Sequence, residues 1–383
     1  MLYEAPASAP QAMDSAERVL HLSTISTPKL APKLWSPSEP NLYALHVTIL
    51  SNDTVLDRYS VPFGFRTFEV RDGQLHLNGK PFWLRGANHF PHALRPNDGA
   101  LARRFMQLAR EGNVVATRSH TAPFSKTWLQ AADEVEMAVS FEGTWPWLML
   151  EGEPPSDELL QEWSDEFLSL IRRHRNHPSI VLWTVNNEMK FETIDKPHPD
   201  LLQRKWKVLS AMVKAMRAAD PTRPIVCDSS YCRKSIGAEY ENLLVRNGFD
   251  DGDIDDAHRY PSWYDPSFFH YYRGEFGKDL CSSGRPLISQ EMSTGYPRND
   301  DGHPCRFYLF KHCTPQSLVG YEAYENRDPA IFLKRQAFIS KELAEAIRRS
   351  NRNECCGILH FAYLSLPHWG LEGTGDFWTG LML

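Results

Sequence analysis

Two short apolar runs in this chain each lead to a glutamate. Residues 180–185 are followed shortly by Asn187 and Glu188, and residues 286–288 end three positions before Glu291. Runs of this length and composition are typical of strands buried in a parallel sheet. Three strand–helix units of roughly 30 residues or more fit between the two glutamates. We therefore predict that both carboxylates lie at the carboxyl ends of strands in one parallel sheet.

From about residue 82 onward, short apolar runs alternate with amphipathic segments of helical period. Strands are predicted at about residues 82–87, 114–118, 137–141, 180–188, 224–228, 253–258, 286–291 and 357–361. Helices are predicted at about residues 99–111, 125–135, 156–174, 201–219 and 328–349. Such alternation favours the α/β class with one parallel sheet. The clearest helix starts at Ser156, an N-cap residue followed by two acidic residues, and ends on basic residues.

The stretch before residue 67 has a different character. Residues 42–50 and 55–61 predict two strands of a hairpin, with alternate apolar residues on one face of the first strand. Those residues are Tyr43, Leu45, Val47 and Ile49. A second hairpin signal, Asp72-Gly73, follows. We therefore place the boundary between a small β domain and the α/β unit near Thr67.

Short motifs in a fixed order connect these two parts. They are PKLWSP at residues 32–37, PNLY at 40–43, FGFR at 63–66, LNGKP at 77–81 and LRGAN at 84–88. Together with Asn187-Glu188 and Glu291, this ordered set resembles glycoside hydrolase family 2, which includes β-galactosidases, β-glucuronidases and β-mannosidases. The family belongs to the large clan of retaining glycosidases with a (β/α)8 barrel. The resemblance covers nearly the whole chain from Pro32.

The resemblance implies a (β/α)8 TIM barrel over residues 67–383, preceded by a partial immunoglobulin-like β-sandwich over residues 1–66. A seven-stranded sandwich takes about 100 residues, and no amphipathic segment follows the last predicted strand. We therefore expect a fragment or a degraded member of the family that lacks the last barrel helix. The alternative is a compact variant in which residues 1–27 cover the gap.

The resemblance also implies an activity, that of a retaining exo-β-glycosidase acting by double displacement. Glu188 would be the acid/base and Glu291 the nucleophile. We take β-galactosidase as the leading expectation, with β-mannosidase or β-glucuronidase as alternatives. A non-catalytic carbohydrate-binding relative is the alternative from another class. Glu322 and Glu325 follow no clear apolar strand, so they are weaker candidates for either role.

Three further positions match family positions near the substrate. Asn187 would hold the sugar 2-hydroxyl. His89 follows the first strand and His120 the second, and both are expected near the sugar. The family usually has Arg-x-Ser-His at the second strand, whereas Arg118 directly precedes Ser119 here. A shift by one residue turns a side chain to the other face, so either the strand bulges or Arg118 no longer serves the nucleophile.

The later strands supply the remaining candidates. Residues 258–264, HRYPSWY, resemble the Asn-Arg-Tyr-x-x-Trp-Tyr stretch of glucuronidase-type members. Tyr260 would donate to the nucleophile and Trp263 would contact the sugar, while His258 replaces the asparagine. Phe361 stands where the family often has a tryptophan under the sugar ring. His258 puts the acid-sugar specificity of that subgroup in doubt.

The composition of the chain narrows the classes of partner that it could bind. The net charge of −6 argues against nucleic acid or an anionic membrane, and no apolar run approaches the length of a membrane span. The seven cysteines show no zinc-like double pair, so we expect reduced thiols and a cytoplasmic location. Histidines and carboxylates lack ligand spacing, so no metal and no cofactor is expected. The resemblance implies a carbohydrate substrate as the partner, and the oligomeric state is open, with a homo-oligomer among the options.

Overall fold

Three small antiparallel sheets precede the main sheet. The computed structural model describes residues 29–89, 95–143, 155–189, 199–236, 243–258, 284–292, 296–297, 304–305, 329–350 and 355–361. The amino-terminal strands are β1 (Trp35–Ser36), β2 (Glu39–Pro40), β3 (Tyr43–Ser51), β4 (Thr54–Phe63), β5 (Phe68–Arg71), β6 (Gln74–Leu77) and β7 (Lys80–Pro81). The pairs β1–β2 and β3–β4 are antiparallel, and β5, β6 and β7 form a three-stranded sheet.

The main sheet alternates with helices along the chain. In chain order the elements are β8 (Leu84–His89), α1 (Gly99–Glu111), β9 (Ala116–Ser119), α2 (Lys126–Glu134), β10 (Ala138–Glu142), α3 (Asp157–His174), β11 (Ile180–Thr184), α4 (Pro199–Ala219), β12 (Ile225–Val226), a 3-10 turn (Arg233–Ile236), β13 (Asp255–Asp256), β14 (Leu287–Met292), β15 (Tyr296–Pro297), β16 (Pro304–Cys305), α5 (Pro329–Ser350) and β17 (Cys355–His360). β15 and β16 pair with each other, outside the main sheet.

The main sheet has eight parallel strands in the order β12-β11-β10-β9-β8-β17-β14-β13. This is the order of a barrel in which each strand lies beside its neighbours in sequence. The two ends of the sheet approach each other where the Asp253 backbone N–H donates to the Ile225 carbonyl at 2.8 Å. The TIM barrel prediction is therefore confirmed. β12 and β13 are shorter than predicted, since irregular backbone surrounds both strands.

The helices begin where short polar side chains accept the first free backbone donors. Asp98, Ser125 and Ser156 cap α1, α2 and α3 in this way. The buried faces of α1 to α4 join the outer face of the barrel in one apolar cluster that includes Trp128, Trp163, Trp183 and Trp206. This packing fixes the barrel wall on which the strand ends are carried. None of the helices in the described ranges is long and apolar enough to cross a bilayer.

The amino-terminal end of the barrel is closed by apolar residues. Phe68, Leu75 and Leu77 of the β5–β6–β7 sheet pack against the first residues of several barrel strands, such as Leu84 and Ala116. Because one end is filled in this way, polar side chains can collect only toward the opposite, carboxyl end. That end is where active sites of this fold are found.

Arg66 attaches the segment before the barrel to the barrel itself. Its guanidinium donates to the carbonyls of Pro178 at 3.2 Å, Ile180 at 2.6 Å and Thr222 at 3.2 Å. One side chain thus provides hydrogen bonds to three carbonyls near the amino-terminal ends of β11 and β12. The arginine of the FGFR motif therefore has a structural role at the amino-terminal end of β11.

The hairpin β3–β4 carries apolar side chains that face solvent. Leu45, Val47 and Ile49, which the sequence places on one face, are 53%, 42% and 52% exposed. Further exposed apolar residues of the hairpin are Leu50, Val55, Leu56 and Tyr59. The predicted strands are present, but no described element covers their apolar face. The partial-sandwich expectation stays a prediction.

Candidate active site

Buried polar side chains cluster at the carboxyl ends of the barrel strands. They come from six strands or the residues directly after them: Asn88, Arg118, His120, Glu142, Asn187, Asp256, Gln290 and Glu291. Burying this many polar groups is unfavourable unless they are paired with one another. The pairs that they form define the site.

Glu291 lies at the centre of this cluster, near the end of β14, and is 3% exposed. Its Oε1 accepts from Arg118 Nη1 at 2.7 Å and lies 2.9 Å from His120 Nε2. Its Oε2 lies 3.3 Å from His258 Nδ1. Burial alone would raise the pKa of Glu291, but His258, His120 and Arg118 outweigh it and hold this pKa well below its usual range. Glu291 is therefore ionised.

Arg118 forms hydrogen bonds both to Glu291, the nucleophile candidate, and to residues on the opposite side of the site. It is fully buried on β9 and donates to Glu291, to Asn187 Oδ1 at 2.5 Å and to Glu142 Oε2. β9 pairs with β8 in unbroken register, and Arg118 lies beside Asn88. Neither alternative left by the sequence is right, because the strand does not bulge and Arg118 still contacts Glu291. Arg118 and His120 are two residues apart, so both face inward.

Glu188 follows β11 and faces Glu291 across the site. One carboxylate oxygen of Glu188 lies within 4.8 Å of one of Glu291. Its side chain is 41% exposed, and its Oε1 lies 2.7 Å from His258 Nδ1. The backbone at Glu188 has φ 48°, and its N–H donates to the Ser229 carbonyl at 2.8 Å. A left-handed backbone at a non-glycine residue costs energy and is frequent at functional sites.

Asn187 and Phe361 also lie within the cluster. Asn187 is buried and accepts from Arg118, and its backbone bridges to Ser229. Phe361 directly follows β17, and its ring meets the His120 ring edge to face at 5.1 Å. The structure therefore brings Asn187, His120 and Phe361 together with both glutamates. Their contacts with a sugar stay predictions.

His89 lies elsewhere. Its ring stacks on Phe124 at 4.2 Å between centroids and also contacts Phe105 and Trp128 of the helix layer. Burial lowers the pKa of His89 to about 3, so the ring is neutral. Asn88 faces the barrel interior, and alternation along β8 turns its neighbour His89 outward. This placement corrects the predicted sugar contact, because a core residue of the helix layer does not reach the site.

Two residues with clear roles were missed from the sequence. Glu142 ends β10 and is bonded by Arg118 and by the Thr121 backbone N–H at 3.0 Å. Like the two candidate glutamates, it follows an apolar strand, and that pattern was available in the sequence. His258 was noted only as a replacement for asparagine. Tyr260, Trp263, Glu322 and Glu325 lie outside the described residues.

Glu188, His258 and Glu291 each present one donor atom within 4.8 Å of the others. Such a group is small enough to enclose an ion. Here, however, the Arg118 guanidinium and the imidazole of His258 already provide donors and positive charge beside the carboxylates. We interpret the group as a hydrogen-bonded, proton-sharing cluster. The expectation of no metal and no cofactor stays a prediction.

A barrel with two close carboxylates at its carboxyl end, in different environments, is the architecture of the glycosidase class. Comparison with family models narrows the class. Residues 68–291 match "Glycosyl hydrolases family 2, TIM barrel domain", and residues 7–66 match "Glycosyl hydrolases family 2". The chain belongs to glycosyl hydrolase family 2, as the resemblance indicated.

Curated relatives carry the name β-galactosidase. Beta-galactosidase 2 of Enterobacter cloacae is 30% identical over 212 residues, which are 53% of this chain and 19% of that protein. The β-galactosidase of Vibrio vulnificus is 34% identical over 170 residues, 41% of this chain and 16% of that protein. The chain thus spans less than a fifth of the length of these relatives.

Solved structures support the fold. A β-glucuronidase from Bacteroides uniformis has a TM-score of 0.68 at 20% identity, covering 91% of this chain and 40% of that one. A β-galacturonidase from Eisenbergiella tayi, solved with galacturonate, has a TM-score of 0.65 at 20% identity and covers 91% of this chain and 57% of that one. At this identity the likeness concerns the fold alone.

Proposed function

We propose that this chain hydrolyses terminal β-linked sugars with retention of configuration. One observation supports this most strongly. Glu291 is buried among three donors within 3.3 Å, while a second, more exposed carboxylate lies within 4.8 Å of it. Retaining pairs are separated by about 5–5.5 Å, whereas inverting pairs need roughly 6.5–9.5 Å to admit a water. The close approach therefore favours the retaining mechanism.

The proposed reaction has two steps. Protonated Glu188 gives its proton to the glycosidic oxygen, and the Glu291 carboxylate attacks the anomeric carbon, so the aglycone leaves as an alcohol and a glycosyl ester forms. Glu188, now a carboxylate, takes a proton from water as that water attacks the anomeric carbon and releases Glu291. Arg118 and His120 keep Glu291 ionised and directed toward the sugar. Asn187 holds the 2-hydroxyl, and Phe361 offers an apolar face.

We propose two candidate sugars, in order of preference. The β-galactosidase names of the curated relatives favour galactose as the leading candidate. Several neighbours of the same fold are β-glucuronidases, which makes a glucuronide the second candidate. A carbohydrate-binding protein without turnover is disfavoured, because binding alone does not require two carboxylates facing one sugar carbon.

A panel of aryl β-glycosides tests the proposal. We expect turnover of at least one of the galactoside, glucuronide and mannoside, and proton NMR of the first product should show the β-anomer. Glu291→Gln should abolish turnover, whereas Glu162→Gln, a change at an exposed glutamate of α3, should leave it unaltered. Absence of turnover on every glycoside, or an α-anomer as first product, would overturn the proposal.

Leaving groups separate the two glutamates. Glu188→Ala should slow substrates with poor leaving groups most, because good ones need little protonation. Glu291→Ala should slow all of them, because no other group forms the covalent intermediate. Equal losses across leaving groups in both variants would show that these roles are wrongly assigned.

A further inference from the structure

His258 stands between the two catalytic carboxylates. Its Nδ1 lies 2.7 Å from Glu188 Oε1 and 3.3 Å from Glu291 Oε2. Its Nε2 lies 2.8 Å from the Ser229 hydroxyl. The imidazole is 6% exposed, so little of it is open to solvent. A single ring atom therefore touches both the proposed acid and the proposed nucleophile.

The hydrogen bonds behind the ring fix its tautomer. The Ser229 hydroxyl donates to Asp256 Oδ2 at 2.7 Å. Asp256 also accepts from the backbone N–H of Gln290 at Oδ1 and from its side-chain N–H at Oδ2, so both of its oxygens act as acceptors. Because the Ser229 proton points to Asp256, its lone pair is left to accept from His258. Nε2 therefore carries a proton. Nδ1, the other ring nitrogen, faces Glu188.

We propose that His258 is a positioning residue that shares the catalytic proton of Glu188 through Nδ1. One proton lies between Glu188 Oε1 and His258 Nδ1 in the resting enzyme. Donation of that proton to the glycosidic oxygen leaves Glu188 ionised and His258 neutral, and the proton returns when Glu188 deprotonates the attacking water. This inference rests on the proposed function and adds His258 to the two glutamates as a third residue that takes part in the proton transfer.

The charges around the ring give the sign of the pH effect. Among the described residues, the carboxylates of Glu188, Glu291 and Asp256 face the imidazole, and Arg118 acts on it through Glu291. Burial lowers the pKa of His258, but the charges of Glu291 and Asp256 and the hydrogen bond to Glu188 outweigh it, so this pKa lies above its usual value. The shared proton is therefore lost only above the pH at which a free imidazole loses its own.

The pH profile of kcat/KM tests this inference. In the wild type, the basic limb should report loss of the shared proton. In His258→Asn the imidazole no longer shares the proton, so the limb should move to lower pH by at least about one unit, because an imidazole is more basic than a carboxylate. Asparagine occurs at this position in the glucuronidase-type stretch, so it fits the backbone. His46→Asn, on the exposed hairpin, is the matched control.

Two further readouts separate this role from a structural one. His258→Asn should slow substrates with poor leaving groups by a larger factor than those with good ones. By histidine-selective ¹⁵N NMR, the resonance lost in His258→Asn should show the Nε2–H tautomer, and Glu188→Gln should lower its titration midpoint. An unmoved basic limb with uniform loss, or a midpoint indifferent to Glu188→Gln, would overturn the inference. Wild type without turnover but with the coupled midpoint would instead reject only the proposed function.

Discussion

Replacing Arg118 by lysine tests how the buried network holds the nucleophile. The planar guanidinium donates simultaneously to Glu291, Asn187 and Glu142. A lysine keeps the positive charge, but its single ammonium is a point charge without the fork that reaches three separated acceptors. We expect it to keep one carboxylate partner and leave the other acceptors unpaired and buried. Charge alone is therefore conserved, while geometry is lost.

The magnitude follows from the lost bonds. Each hydrogen bond to a charged group contributes about 1.5–3 kcal/mol, and breaking a buried ion pair costs about 3–5 kcal/mol. Arg118→Lys should therefore lower the free energy of unfolding by about 3–5 kcal/mol. Loss of the contact that orients Glu291 should lower kcat/KM by roughly 10- to 100-fold, since 1.36 kcal/mol corresponds to about tenfold in rate.

The assay combines urea unfolding with kcat/KM on an aryl glycoside, at a temperature where circular dichroism shows the variant folded. Arg103→Lys is the control, because Arg103 pairs with Glu134 at the surface and such pairs are worth about 1 kcal/mol or less. If Arg118→Lys keeps kcat/KM within threefold and its unfolding free energy within about 1 kcal/mol of wild type, the network does not orient Glu291 as described.

Further predictions concern pH and the exposed hairpin. Burial raises the pKa of Asp228 well above its usual value, so the folded state keeps its proton and stability is lost as pH rises above about 4, the unfolded value. Asp228→Asn should thus be more stable than wild type at pH 8, and the gain should vanish near pH 4 in thermal melts. Glu291 has the opposite sign, so wild type should exceed Glu291→Gln in stability above about pH 4.3, with the difference shrinking on acidification. Leu45→Thr with Leu56→Thr should change the unfolding free energy by less than about 1 kcal/mol, because both side chains are more than half exposed, and should reduce light scattering at high concentration. A larger stability loss would mean that these side chains are covered in solution.

The order of strands and helices was largely available from the sequence. The barrel could be predicted because each strand–helix unit carries its own local signal, such as the cap at Ser156 and the basic last turn of α3. The apolar residues Leu160, Trp163, Phe167 and Ile171, which recur at helical spacing in the sequence, are all buried on α3. Strand ends at β12 and β13 were overestimated, because hydrogen bonds to loops replace the ladder there.

The site was harder to predict because it depends on faces. Alternation tells which residues of a strand share a face, but the register between strands decides which face is inside. His89 was assigned to the wrong face for this reason. The same rule, applied to His120, would have turned Arg118 inward as well, since they are two residues apart. The contacts of His258 join residues 188, 229 and 291, and only the folded chain brings these together.

Trapping the covalent intermediate tests the central claim most directly. A 2-deoxy-2-fluoro aryl β-glycoside of the preferred sugar should react once with each molecule and hold the glycosyl ester, because fluorine at C2 slows its hydrolysis. Peptide mass mapping should place the sugar on Glu291, in the segment that ends β14. A label on Glu188, or complete turnover of a substrate by Glu291→Gln, would contradict the assignment of Glu291 as the nucleophile.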